Sequence, residues 1–580
     1  MSTTTTPLDD PESIDVTPFA LRIPEILENI FEHSDEKSNR TNNVLVCKVW
    51  SDPCLNVIWR EVKDLSRLVK LLGPTVLRGS RLLDFSQTDK PPKWDRFSFY
   101  ARRVRKIYHE GERAGTYRAG LALRSVFTDI AYQRLSNNIV PNLQVLEWHS
   151  DTSLYMQNPS ILFMGPSLKH YILHEVKPSP AELSLNLRTL ADRCPHLNHV
   201  KISLDSAAQS HGDIILDFVM RMADLHTLEL PPFGNMAPLT NALRGHSCLR
   251  RLQIGGCHAI DGRLDKPCIT SLALPSPGGD HFASLTFLSI VVPYAVVEKL
   301  FSHKFPSLQQ IFIFSDLRKP ETPSTIKHLI DTLTETCSQI HYIHLSYAFL
   351  PEEKYTRFPP ASCIVTMAHI RPLLRCSKMQ NFIFKHPFPI TLDDQFAEEI
   401  ATSWPDLLKL QLNHIPLVRR KDFKNCFTLR ALLPFARHCP RLVHLSILVV
   451  PESSTCPTLG DIQSLPSSFF SKLYSFDVGS SMLYESDKHQ VALTLSQILP
   501  PRSVLCYHNN VKNDLSSDTD EETPPLSPEA RNWKSVMDKI PYMRWMDQLA
   551  KTEQRELRRK LQELETENER LRTQTQTLYA

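Results

Sequence analysis

The residues of this 580-residue chain best suited to chemistry are aromatic, and the chemistry they suit is recognition. Phe287, Phe312, Phe314 and Tyr342 recur in the stretches "FLSI", "QQIFIF" and "HYIHL", and Lys201 and Arg251 hold equivalent places in two earlier stretches. Large rings at a protein surface make strong anchors, because they bury much apolar area while few torsions are frozen. Read as the side chains that alternate with buried leucines along short strands, these six face outward as a candidate substrate-binding surface. A register shifted by one residue would return the aromatics to the core.

Bond-making chemistry has less footing. The 13 cysteines include no C-x-x-C pair, and the 23 histidines include no H-E-x-x-H, so neither a disulfide framework nor a zinc site is expected. The 16 glycines supply no G-x-G-x-x-G, G-x-x-x-x-G-K or G-x-S-x-G, which leaves no phosphate cradle and no nucleophile elbow. No catalytic residue, metal site or cofactor is assigned. Cys194, Cys337, Cys376 and Cys439 each precede the first anchor of a repeat by three residues and read as small buried residues at helix ends. A formal charge of +3 gives no broad basic field, and the clusters at 102–106 and 419–421 read as solvated faces, so no nucleic-acid partner is expected. The acidic, threonine-rich start is no signal peptide, and no apolar run reaches the roughly 18 residues a membrane helix needs. With its unpaired cysteines, the chain is expected in the cytoplasm, the nucleus or both.

The elements that must position the aromatics come from a repeat. "VPNLQVLEW" (140–148), "GPSLKHYIL" (165–173), "CPHLNHVKISL" (194–204) and "MADLHTLEL" (222–230) share an L-x-x-L-x-L core. The series continues through "SCLRRLQI", "FASLTFLSI", "FPSLQQIFIF", "CSQIHYIHL", "CSKMQNFIF", "WPDLLKLQL" and "CPRLVHLSIL" to "FSKLYSFDV" (470–478), with anchors 23 to 39 residues apart. The first apolar residue anchors a turn and the next two point to one face of a short strand, while the helical spacing of 183–193 and 325–336 fills the intervals. Such units cannot hide their apolar sides singly and must stack into a solenoid. The fold class is therefore α/β, parallel strands plus helices, and the pattern resembles leucine-rich repeats. It departs from them in that the Asn or Cys expected beyond the last leucine occurs as Cys257 and is mostly absent elsewhere, which predicts an irregular array.

Ahead of the repeats, "RIPEILENIFEH" (22–33) places Ile23, Ile26, Leu27, Ile30 and Phe31 on one side of a helix that Pro24 can open. "VLVCKVW" reads as a second short helix, and Asp52-Pro53 as the cap and first position of a third. Three short helices expose more apolar surface than they can bury among themselves. "IPEILENIF", "LVCKVWSDP" and "IWREV" in this order resemble the F-box, over roughly residues 20–62, with Ser34 and Asn39 standing where that family carries apolar residues. The resemblance implies docking onto the Skp-type adaptor of a cullin-RING ubiquitin ligase through Ile23, Pro24, Glu25, Ile26, Leu27, Ile30, Phe31, Val46, Cys47, Trp50 and Trp59. The other reading of these helices is a terminal cap on the repeats.

At the far end, Leu557, Leu564, Leu571 and Leu578 recur every seven residues, with Leu561 and Asn568 between them, as in a parallel two-stranded coiled coil that would make a homodimer. The predicted organisation is a disordered N-terminus (1–19), an F-box (20–65), connecting helices or linker (66–100), a leucine-rich-repeat-like solenoid (101–505), an acidic disordered linker with phosphorylatable Thr-Pro and Ser-Pro pairs (506–534) and a coiled coil (535–580). The function implied is a non-catalytic substrate receptor of a ubiquitin ligase. The alternative is a leucine-rich-repeat scaffold or regulatory protein whose F-box helices are structural or act outside degradation.

Overall fold

The computed structural model describes residues 19–579 apart from 79–81, 86–90, 110–123, 134–137, 151–157, 176–178, 205–208, 256–268, 270, 273–281, 303, 316–319, 348–362, 419–424, 467–468 and 509–526. The early N-terminus, Cys257 and most of the acidic linker lie outside these residues. The chain forms two compact units, residues 1–231 and 232–580.

In the first unit, the strands Glu61–Val62, Lys106–His109, Val145–Ser150, His170–Glu175, His199–Leu204 and Thr227–Leu230 follow in chain order, each parallel to the next. The second unit repeats the scheme with Arg251–Ile254, Phe287–Val291, Gln310–Ser315, Tyr342–Tyr347, Asn381–Phe384, Lys409–Leu412, His444–Ile447, Ser475–Asp477 and Val504–Cys506. Leu252, Leu288, Ile311, Ile343, Phe382, Leu410, Leu445, Phe476 and Leu505 stand directly opposite one another along this sheet, and all are buried. Each such side chain contributes roughly 1.5–3 kcal/mol of burial free energy. The turn anchors Leu249, Leu285, Leu308, Ile340, Met379, Leu407, Leu442 and Leu473 are buried beside them. Each unit is thus a repeat of parallel strands joined by helices and turns.

The helices between strands start where local chemistry tells them to. Ser179 caps Pro180–Arg193 by accepting the Glu182 amide, and Thr322 caps Pro323–Thr336 by accepting that of Thr325, each with proline at the first position. Other intervals shorten to 3-10 turns such as Pro159–Phe163 and Arg371–Arg375, the irregularity expected. The four cysteines close these helices, with the amides of Cys194, Cys337 and Cys439 bonded to the carbonyls of Leu190, Leu333 and Phe435, and that of Cys376 to Leu373. Burial pushes the thiols of Cys194, Cys337 and Cys439 up to about 12 and that of Cys376 up to about 11, far from nucleophilic thiolates.

The N-terminal helices divide differently from the sequence reading. Pro24–His33 (α1) is as expected, but α2 is Glu36–Thr41, capped by Asp35, in the stretch read as a polar connection. Residues 48–60 form one helix, α3, which runs through Pro53. Asp52 is therefore no cap; its carboxylate accepts from Arg103 Nη2 at 2.5 Å. Leu27, Phe31 and Cys54 form a small core with Leu21, Val44, Trp50, Val57 and Ile58 around it, and the Phe31 and Trp50 rings meet edge to face at 5.5 Å. Glu28 ties α1 to α3 by accepting from Asn56 and Arg60 at 2.8 Å each.

Ser34 and Asn39, the two polar departures, both serve the end of α1. The Ser34 hydroxyl donates to the Ile30 carbonyl at 3.0 Å, and buried Asn39 donates through Nδ2 to the Phe31 carbonyl at 2.7 Å while accepting from Asn43 at 2.8 Å. At this helix end, where carbonyls run short of backbone partners, they supplement the Ser34 amide, which donates to the Phe31 carbonyl at 3.2 Å. The last helix, Pro528–Tyr579, begins within the stretch read as linker and is seated through buried Ala530, Trp533, Val536 and Ile540, with Trp533 Nε1 donating to the Ser481 carbonyl at 2.9 Å. Among the described residues, no helix is long and apolar enough to cross a membrane. Restoring an apolar residue with Asn39→Leu should destabilise the N-terminal helices by about 1–2 kcal/mol, because the Phe31 carbonyl loses the Asn39 amide and Asn43 Nδ2 loses its acceptor. Hydrogen exchange on the full chain should then quicken over residues 24–60 and not over 380–450.

Candidate functional site

Strand alternation in the second unit sets the candidate surface. Arg251, Phe287, Gln310 and Tyr342 align across four neighbouring strands, and one step along, Gln253, Ser289, Phe312 and His344 align in the same way. Ile311 and Ile313, on either side of Phe312, are fully buried, whereas Phe287, Phe312 and Tyr342 are half-buried, so alternation puts these aromatics on the side of the strands away from those isoleucines. Phe312 wedges between its diagonal neighbours, 5.1 Å from Phe287 and 4.7 Å from Tyr342 between ring centres. The Arg251 guanidinium lies 3.5 Å over the Phe287 ring, a close cation–π stack.

Two of the six candidates do not belong to this cluster. Phe314 lies on the outward side by alternation but is only 5% exposed, its ring edge-on to His344 at 5.2 Å. The local alternation that places it cannot report what covers the far ends of the strands. Lys201 belongs to the first unit, where its ammonium lies 3.5 Å from Glu229.

His344 is the member that the sequence reading left out of the site. Burial, followed by the charges of Lys385 and Lys409, holds its imidazole down to about 3, so it is neutral near pH 7. Among the described residues, neither His344 Nε2 nor the buried Ser289 hydroxyl has a hydrogen-bond partner. Both neighbour Phe312 in the register. Buried polar atoms are ordinarily paired, so these two are exceptions beside the aromatic cluster.

At the N-terminus the adaptor candidates separate into two sets. Leu27, Phe31 and Trp59 turn inward; Trp59 packs on Tyr100 at 4.9 Å with the Arg67 guanidinium 5.2 Å over it. Ile23 and Trp50 are half-buried. Pro24, Glu25, Ile26, Ile30, Val46 and Cys47 are exposed, as are Leu45 and Val49 beside them. In the last helix, Leu557, Leu561, Leu564, Asn568 and Leu571 are all exposed, while the Leu578 side chain lies outside the described residues. Lys560 pairs with Glu556 and Glu567 with Arg570 within that helix.

No protein-family model matches the chain, and no curated relative does. Among solved structures it is similar to an internalin from Listeria monocytogenes, at 12% identity over 71% of this chain and 84% of that one, with a TM-score of 0.32. It is also similar to a protein of Bacteroides fragilis, at 11% identity over 59% and 67% with a TM-score of 0.24. A third is a chain of the octameric complex of Latrophilin 3, Unc5D and FLRT2 (LRR), at 10% identity over 67% and 91% with a TM-score of 0.26. At such scores the likeness carries no argument, and the repeat architecture stands on the strand register above.

The cluster predicts unequal outcomes for two neighbouring rings. Phe312→Ser should lower stability by only about 1 kcal/mol, the worth of its half-buried ring contacts, whereas Phe314→Ser should lower it by roughly 3–5 kcal/mol through the cavity it opens. Thermal unfolding followed by circular dichroism compares them directly.

Proposed function

We propose that the chain is a non-catalytic substrate receptor of a cullin-RING ubiquitin ligase. Its N-terminal helices dock the Skp-type adaptor, the outward aromatic cluster takes the protein substrate, and the leucine stripe of the last helix pairs with a second copy. The observation that carries this reading is the apolar surface left open on helices that are otherwise well packed: Ile26 is 38% and Ile30 40% exposed on α1, and Leu45, Val46 and Val49 are exposed at the start of α3. Isolated exposed aliphatics are ordinary, but five on the elements that resemble an F-box suit a second protein. A receptor of this kind needs no catalytic group of its own, since it raises the local concentration of an acceptor lysine near the charged carrier.

A second reading, a scaffold whose N-terminal helices cap the repeats, draws on a different observation. The end of α3 passes straight into the strand Glu61–Val62, and Arg103 and Trp59 fasten the helices to the residues beyond it. A cap and a docking module are compatible, because the fastening uses the inward side and leaves Ile26 and Ile30 outside.

The test is co-purification with the adaptor and cullin. Ile26→Lys with Ile30→Lys should abolish recovery of both while the thermal midpoint falls little, because a lysine stem can lie along the covered part of either position with its ammonium in water. Leu27 is unsuitable for this purpose, since it is fully buried and its replacement would unfold the helices. A chain that never recovers adaptor or cullin would favour the scaffold.

A further inference from the structure

We propose a zinc site, separate from the surfaces above, formed by His414, Asp477 and His508 in the second unit. His414 lies two residues beyond the strand Lys409–Leu412, Asp477 ends Ser475–Asp477, and His508 lies two residues beyond Val504–Cys506, so one end of the parallel sheet brings the three together. His414 Nε2 and His508 Nε2 each lie 3.2 Å from the same oxygen of Asp477, Oδ2. All three ligand atoms fall within 4.8 Å of one another.

Zinc held by imidazole nitrogen and carboxylate oxygen has bonds of about 2.0–2.2 Å, and two ligands at a tetrahedral angle then stand roughly 3.3 Å apart. The two edges from Asp477 to the histidines are close to that spacing. Two imidazoles and one carboxylate are a borderline donor set suited to zinc, and too nitrogen-rich for calcium or magnesium. Exposure is graded across the site: the side chains of His414, Asp477 and His508 are 3%, 15% and 47% exposed. The ion would be held from the protein side and reached from the His508 side, with water as its fourth ligand.

The surroundings hold the ligands in place. Asp477 Oδ1, the oxygen not shared with the histidines, accepts from the Gly479 amide at 2.8 Å. The His414 carbonyl accepts the Ser480 amide at 2.9 Å, and the Gly479 carbonyl accepts the His508 amide at 2.8 Å, so one turn fixes all three segments. Gly479 is required there: its φ is +56°, and a Cβ would fall 1.9 Å from the His414 carbonyl oxygen. His414 Nδ1 lies 3.4 Å from the Gln411 side-chain amide, which, turned about its axis, offers an oxygen to the ring N–H of a metal-bound imidazole.

The other His-carboxylate group, Glu147, His149 and His174 in the first unit, lacks this convergence. His149 and His174 stack at 4.2 Å with their ring planes only 22° apart, which aims their in-plane lone pairs side by side and not at a shared point.

The experiment uses the full chain stripped with EDTA, re-equilibrated with limiting zinc chloride and desalted, with zinc counted by mass spectrometry and thermal midpoints measured with and without the metal. Asp477→Asn keeps the shape and can still hydrogen-bond both histidines, and His508→Ala removes the most exposed ligand. The expected result is about one more equivalent of zinc retained by the unaltered chain than by either variant, and a zinc-dependent rise in its midpoint that either variant loses. Cobalt in place of zinc should give a visible d–d band that is weakened in both. Equal zinc content and equal midpoint shifts in all three chains, or no retention by the unaltered chain, would overturn the site and leave a hydrogen-bonded His-Asp-His group. Neither result depends on adaptor binding.

Discussion

The parallel register of one buried side chain per repeat, from Leu252 through Phe382 to Leu505, is the constraint on which the second unit depends. Once these nine residues stand opposite one another in the interior, strand alternation leaves no freedom for their neighbours. Phe287, Phe312 and Tyr342 face outward because Leu288, Ile311 and Ile343 face inward. The same logic places Asp477 on the outward side, since it follows buried Phe476. Binding surface and core are thus two consequences of a single register, and a slip in any strand would lose both.

At the N-terminus a different balance operates. Three short helices cannot enclose their own apolar residues, and the chain divides them: Leu27, Phe31 and Cys54 make a small core, while Ile26 and Ile30 stay in solvent. Polar side chains close the end of α1, where further apolar surface would otherwise need burial. Asn39 and Ser34 donate to the carbonyls of Phe31 and Ile30 and so strengthen the helix end.

Local rules made some of this legible and not the rest. The L-x-x-L-x-L spacing located the strands, and Ser179-Pro180 and Thr322-Pro323 announced their helices, because periodicity and capping act within a few residues. Asp52-Pro53 misled for the same reason: the pair looks like a helix start, but the Asp52 carboxylate is claimed by Arg103, fifty-one residues away. Alternation placed Phe314 on the outward side correctly, yet its burial depends on neighbours that alternation does not describe. His414, Asp477 and His508 carry no spacing signature at all, since the fold, and not the chain, makes them neighbours. The exposed leucines of the last helix were readable from the heptad alone; whether they pair with a second copy is decided between chains.

Hydroxyl-radical footprinting of the full chain reads the register residue by residue. Oxidation is expected at Phe287, Phe312 and Tyr342, with Phe382, Phe384 and Phe476 protected. Protection of Phe312 together with oxidation of Ile311 and Ile313 would place the opposite face in solvent and contradict that register.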